Sequence, residues 1–250
     1  MSATPLMKIQ TAAELRLRRE AGTARRRLYP GTALYTIYCA VMLGLALRSS
    51  QRMTALGFFW CGAGAWTLLE YVVHRYVLHG RFPAGAGPIR WFTHKYFDPL
   101  HWEHHARPWD GNHINGRIRD TLPFAALFAA LGFLFPLPTA PMFVAGLLQA
   151  YVVEEWVHHS VHFYHFRNRY FRYIRRHHLY HHSPKGSEVG YGLTSGFWDV
   201  LWGTRIPAAD RRALYANRRA ALRRWRPPAI LTEQGGAASR PLEPPPLAPE

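Results

Sequence analysis

The sequence predicts an all-α integral membrane protein with about four transmembrane or re-entrant helices and a cytoplasmic helical cap. Three observations carry that prediction. Apolar residues concentrate in residues 34–47, 53–73 and 122–153, the last interrupted by Pro136, Pro138 and Pro141. Arginines flank these stretches, with Arg16, Arg18, Arg19, Arg25, Arg26 and Arg27 before the first and Arg167, Arg169, Arg172, Arg175 and Arg176 after the last. Ten of the fifteen histidines form four short groups that follow the apolar stretches or lie between them.

Residues 1–30 read as a basic cytoplasmic N-terminal segment. They lack a continuous apolar stretch and a small-residue cleavage site, so no removable signal peptide is expected. A crossing needs roughly 20 apolar residues for a hydrocarbon core about 30 Å thick. The legs of residues 122–153 are short by that measure and form two spans or a re-entrant pair. Either way the chain returns to the side it left, so all four histidine groups share one face. The basic termini lie on that face too, and the positive-inside rule makes it cytoplasmic.

Residues 31–207 are thus expected to form the membrane domain. Residues 208–250 are basic and then Pro-rich, ending in PLEPPPLAPE, and are expected to be disordered. The net charge of +16 would by itself suggest a nucleic acid. Its placement on the flanks of apolar segments points to a membrane instead, with no nucleic acid partner. Cys39 and Cys61 fall inside apolar stretches, where cysteine acts as a small hydrophobe. Neither a disulfide framework nor a cysteine zinc site follows.

The histidine groups are His74 and His79 in HRYVLH, His101, His104 and His105 in HWEHH, His158 and His162 in HHSVH, and His178, His181 and His182 in HLYHH. Neutral imidazole is the commonest metal ligand, and one ion takes only about four to six donors, so ten suggest two ions. Residues i, i+3 and i+4 share a helix face, so each HxxHH triplet forms a compact arc, and the two arcs can face each other. His74 and His79 are about 140° apart on an ideal α-helix. Either His79 swings back at a helix end before Gly80, or the two serve different ions.

His94, His113, His159, His165 and His177 are expected in interfacial or hydrogen-bonding roles. An imidazole-only donor set suits iron, zinc or copper and excludes thiolate sites; magnesium and calcium want oxygen donors. A structural zinc site closes with four ligands, so ten histidines fit an open dinuclear centre that O2 can reach. A membrane metal transporter or sensor is the alternative from another class, but such proteins usually bind near the bilayer midplane.

These motifs, followed by GYGLTSGFWDVLWGT, resemble the fatty acid hydroxylase superfamily of membrane dimetal enzymes from Val73 to about Thr204. Four residues between His74 and His79 match its fatty acid 2-hydroxylases and carotenoid hydroxylases rather than its sterol desaturases. The resemblance implies a four-helix membrane region under a cytoplasmic cap holding two iron ions, with zinc as a possible substitute. It implies insertion of one oxygen atom from O2 into an aliphatic C–H bond of a lipid, above all a fatty acyl chain. Carotenoid or sterol hydroxylation or desaturation is the alternative within the superfamily.

On this resemblance the metal ligands are the ten histidines named above. Glu155 is the candidate to accept a hydrogen bond from the outer nitrogen of a ligating imidazole. Asp110 and Asp199 are expected as caps, and Glu70, one turn before His74, as an orienting or channel-lining acid. No haem-binding cytochrome b5 motif is present, so electrons come from a separate donor such as cytochrome b5 or a ferredoxin with its reductase. The acyl chain would enter laterally from the bilayer, near an aromatic belt of Trp91, Phe92, Tyr96, Phe97 and Trp102.

Overall fold

The computed structural model describes residues 5–216, apart from the side chains of residues 5–11, 96–100 and 216. Among the described residues there is no strand. The helices are α1 (Pro5–Leu47), α2 (Arg52–Val72), α3 (Pro88–Ala106), α4 (Ile118–Gly132), α5 (Ala140–Phe163), α6 (Arg169–His181), α7 (Phe197–Leu201) and α8 (Ala208–Ala216). A π-helical turn, Val73–Leu78, continues α2. From Pro5 onward the basic N-terminal segment and the first apolar stretch are one unbroken helix, with Pro30 inside it. Of the C-terminal segment, residues 208–216 are helical, and the Pro-rich tail lies outside the described residues.

Among the described residues, two helical stretches are long and apolar enough to cross a membrane, Ala12–Leu47 and Arg52–Leu78. The expected hairpin forms α4 and α5, joined through residues 133–139. The 15 residues of α4 span about 22 Å at 1.5 Å per residue, short of a full crossing. Its outer side is nonetheless apolar: Leu122, Phe124, Leu127, Phe128 and Leu131 are exposed, as are Phe133, Leu134 and Phe135 beyond it. A soluble surface rarely carries so continuous an apolar patch, whereas a hydrocarbon surrounding requires one.

The inner helix is α5. Its Val144, Leu148 and Val152 pack with Tyr35 of α1 and Ala125 of α4. Its Met142 and Ala145 pack with Met42 and Ala46 of α1 and Ala55 of α2. Against α2 the contact is backbone to backbone. A Cβ at Gly62 would strike the Phe143 carbonyl, and one at Gly146 would strike the Phe59 carbonyl. Small residues at helix crossings allow this approach where no hydrophobic effect drives association. Above the apolar region, α6 is held to α5 through Ile174 against Val157 and Val161. It starts at Asn168, whose side-chain oxygen accepts from the Tyr170 and Phe171 amides.

A candidate metal centre built from ten imidazoles

The ten sequence-derived histidines converge as two sets of five. His74, His79, His101, His105 and His181 form site 1; His104, His158, His162, His178 and His182 form site 2. Within each set the donor atoms all lie within 4.8 Å of one another. The triplets do not face each other as intact arcs. His101 and His105, four apart, serve site 1 while His104 turns to site 2. In the other triplet His178 and His182 serve site 2 while His181 crosses to site 1. The i and i+4 members of each triplet thus stay together, and the i+3 member crosses over. His105 and His182 stack at 4.2 Å between ring centroids where the sites meet.

The separation of His74 and His79 on an α-helix is overcome by the π-turn between them. The His79 amide donates to the His74 carbonyl at 3.1 Å, an i+5 bond that widens the turn. With that extra residue absorbed, both rings reach site 1, and His79, at the C-cap before Gly80, closes its rim.

All the close contacts are between Nε2 atoms. In site 1 they measure 3.0 Å (His74 to His101), 3.0 Å (His79 to His101), 2.9 Å (His79 to His181) and 3.1 Å (His101 to His105). In site 2 they measure 3.1 Å (His104 to His158), 3.2 Å (His158 to His162), 2.8 Å (His162 to His178) and 3.0 Å (His178 to His182). Donors about 2.1 Å from one ion lie about 3.0 Å apart at right angles and about 3.4 Å apart at tetrahedral angles. The four close spacings in each set are those of right-angled rather than tetrahedral donors. The residues present therefore fit a pair of five- or six-coordinate metal ions.

Protons are disfavoured here. Burial, then the neighbouring His181, brings His79 down to about 3. Burial, then His181 and His79, brings His105 to about 2. His181 falls to about 4 through burial, partly offset by its hydrogen bond to the Val189 carbonyl. His101, His104, His178 and His182 are held well below their ordinary value, first by burial and then by neighbouring imidazoles. Neutral imidazole is the metal-binding form.

The outer nitrogens differ between sites. In site 1, His74 Nδ1 donates to the Tyr191 carbonyl and His181 Nδ1 to the Val189 carbonyl, at 2.8 Å for the latter. In site 2, the Nδ1 atoms of His104, His162, His178 and His182 are buried with no protein partner.

Glu155 does not touch an imidazole. Its carboxylate accepts from Asn115 Nδ2 (2.9 Å), Tyr151 Oη (3.0 Å) and the Gly116 amide (3.3 Å), which pins the 107–117 loop to α5. The physical reason is one of height: Glu155 shares the helix face of His158 and His162 but lies about one and two turns before them along α5, where Asn115, Gly116 and Tyr151 take its carboxylate. Asp199 is more than a cap. It accepts from His177 Nε2 (3.1 Å), the Tyr191 and Gly192 amides (2.8 and 3.0 Å) and Thr204 Oγ1 (2.8 Å). Burial opposes its ionisation, but His177, the Thr204 hydroxyl and the Gly192 amide together outweigh it and hold the carboxyl below its ordinary value. Through Tyr191, Asp199 positions the carbonyl that orients His74. Glu70 accepts from the Leu193 and Thr194 amides and the Thr194 hydroxyl.

Asp110 accepts from the Asn112 amide as a turn cap. His94 and His113 make hydrogen bonds outside the sites, to the Phe82 carbonyl and Glu103 respectively. His159 is buried among Trp156, Phe163 and Tyr164. Trp102 packs against His79 and His105, while Trp91 and Phe92 are exposed; the side chains of Tyr96 and Phe97 lie outside the described residues. The sequence reading missed the Tyr191 and Val189 carbonyls, since a backbone acceptor leaves no mark on residue type. It also missed Trp109, edge-on to His162 at 5.6 Å.

The family model for fatty acid hydroxylases matches residues 59–204, which contain all ten histidines. The chain belongs to the fatty acid hydroxylase family. A dihydroceramide fatty acyl 2-hydroxylase of Arabidopsis thaliana is 31% identical over 182 residues, 72% of this chain and 72% of the relative. The ceramide very long chain fatty acid hydroxylase of Saccharomyces cerevisiae is 32% identical over 166 residues, 66% of this chain and 42% of the relative. The fatty acid 2-hydroxylase of Rattus norvegicus is 28% identical over 154 residues, 61% of this chain. The match spans only 40% of that rat relative's length. Among solved structures, full-length scs7p with only its hydroxylase domain visible aligns with a TM-score of 0.59 and 28% identity. That alignment covers 72% of this chain and 67% of the other. Membership in this family fits an all-helical chain with apolar spans and paired histidine clusters.

Proposed function

We propose that this protein is a membrane-bound diiron oxygenase that inserts one oxygen atom from O2 into an aliphatic C–H bond of a lipid acyl chain. The observation that carries the reading is the split of ten imidazoles into two five-donor sets with right-angle spacing. Five donors with an open sixth position suit iron better than closed four-ligand zinc, though zinc can substitute. All ten histidines are ligands in this reading. Two irons held there would supply the O2 and electron chemistry that an unactivated C–H bond demands.

The protein's own residues supply position and dryness. The carbonyls of Tyr191 and Val189 fix the ring orientations of His74 and His181. Asp199 and Glu70 hold the 190–204 loop against the centre, and Glu155 holds the 107–117 loop. The net reaction consumes O2, two electrons and two protons, and yields one hydroxylated carbon and one water. The electrons come from a separate donor, such as cytochrome b5 or a ferredoxin with its reductase.

The substrate reading follows the relatives, whose names specify fatty acid and dihydroceramide fatty acyl 2-hydroxylation. The chain then has about four transmembrane or re-entrant helices, α1, α2 and the α4–α5 pair, with α3, α6 and α8 in a cap on the cytoplasmic face. Residues 1–30, 31–207 and 208–250 serve as basic flank, catalytic domain and tail. The test is a lipid analysis of cells expressing the intact chain or the His181→Ala, His182→Ala double variant, which removes one ligand from each site. An O2-dependent hydroxylated acyl species made only by the intact chain is expected. Oxygen added to carotenoid rings with acyl chains untouched would overturn the substrate class.

A further inference from the structure

The segment that follows the last histidine triplet runs down α2 instead of staying above it. The Trp198 indole donates to Thr67 Oγ1 at 3.1 Å, and Tyr71 Oη hydrogen-bonds Thr204 Oγ1 at 2.8 Å. Trp202 stacks on Tyr71 at 5.0 Å and on Trp198 at 5.0 Å. Thr67 lies seven residues before His74, about 10 Å below it along the helix. It falls within the stretch Arg52–Leu78 that is long and apolar enough to cross a membrane.

The outer side of this segment matches that depth. Phe197 and Leu201 are 62% and 63% exposed, with Val200 and Trp202 exposed beside them. These apolar side chains continue the lipid-facing surface of α2, where Phe58 and Trp60 are also exposed. The inner side solves the problem that irregular backbone meets in hydrocarbon, where an amide without a partner is costly. The Tyr191 and Gly192 amides go to Asp199, those of Leu193 and Thr194 to Glu70, and that of Gly196 to Tyr173 Oη. The loop closes on itself through the Gly190 amide and the Thr204 carbonyl at 2.9 Å.

We infer that residues 190–204 form a re-entrant element, and that the face made by Phe197, Val200, Leu201 and Trp202 is covered by the hydrocarbon of the leaflet on the metal side. The buried acids Glu70 and Asp199 exist in part to make this descent tolerable, by taking the loop's amides out of contact with lipid. The inference rests on the membrane-spanning reading of α2.

The test places single nitroxide labels on the full chain in liposomes, in a Cys39→Ala, Cys61→Ala background. Labels go at Phe197→Cys and Leu201→Cys, at Trp60→Cys as the mid-helix reference and at Arg212→Cys as the aqueous reference. Collision with O2 is compared with collision with a water-soluble nickel chelate, and metal content confirms that each labelled protein is folded. The expected O2-to-nickel ratio at 197 and 201 is close to that at 60 and well above that at 212. A ratio at 197 and 201 matching position 212, while position 60 stays apolar, overturns the re-entrant element and leaves the span intact. A position 60 as open to nickel as position 212 overturns the span and this inference with it.

Discussion

Site 1 and site 2 have the same number of imidazoles and nearly the same spacing, yet they are held in opposite ways. Site 1 lies nearer the rim, with His79 and His105 partly exposed, and two of its rings are locked by backbone carbonyls. Site 2 is deeper, and four of its five rings have outer nitrogens without a protein partner. The rings of both sites pack edge to face, and in site 2, where Trp109 also lies against His162, that packing is what orients these four rings. Orientation by hydrogen bond also raises ligand basicity, whereas orientation by packing does not. Two ions of one element in these two cages should therefore differ in affinity and in redox behaviour.

The largest effect should come from removing a ligand. His162→Ala is expected to empty site 2 and leave site 1 filled, and His74→Ala to do the reverse, each taking the metal count from two ions to about one. Product should fall by more than the roughly 100-fold upper range for orienting partners. Metal analysis alongside product assay reads both. Loss of both ions from either variant would break the comparison, since the sites would then form one cooperative unit.

Next in size is the affinity gap. Competition with a graded chelator should strip metal in two steps, with site 2 released first and site 1 held about 10- to 100-fold more tightly. Asp199→Asn should narrow the gap by loosening the Tyr191 carbonyl, without changing the total number of ions bound at saturation. A single-step release from the intact protein would show that carbonyl locking has no thermodynamic weight here.

Acid should act on site 1 in the metal-free protein. The folded state holds His181, His79 and His105 at about 4, 3 and 2, below the unfolded value of about 6.5. Their folded forms therefore bind fewer protons than the unfolded chain at intermediate pH. Stability is complete above about pH 6.5 and declines as pH falls, by about 1.4 kcal/mol per pH unit for each such imidazole. Denaturation of the metal-free protein in detergent between pH 7 and pH 5 measures it, and a flat profile would contradict the burial of these rings.

Much of this was legible in the residues. The apolar segments marked α1, α2 and the α4–α5 pair, and the histidine spacing marked all ten members of the two sites. What could not be read was the assignment of ligands to sites. It depends on the crossing of His104 and His181 and on one extra residue accommodated between His74 and His79. HRYVLH has the same composition whether its turn is α or π, and the wider one is what brings both rings against His101 of α3 and His79 against His181 of α6. The orienting groups were illegible for a different reason. Carboxylates near histidine suggest partnership in a sequence, but Glu155, Asp199 and Glu70 use their oxygens mainly on loop amides, and backbone carbonyls take the imidazoles.

The smallest predicted effect sharpens that last distinction. Glu155→Gln keeps the shape of the side chain but exchanges one accepting oxygen for a donating NH2, so it keeps the Tyr151 and Gly116 hydrogen bonds or the Asn115 one, without their charge. Hydrogen bonds to charged groups contribute about 1.5–3 kcal/mol each and neutral ones about 1, so a modest fall in stability is expected. Both ions should remain, and the two-step chelator profile should be unchanged. Because Glu155 pins the 107–117 loop, which carries Trp109 over His162, any effect on metal should appear at site 2 alone. Loss of an ion from site 1 in this variant would mean that Glu155 orients an imidazole there after all, by a rearrangement of α5 against α2.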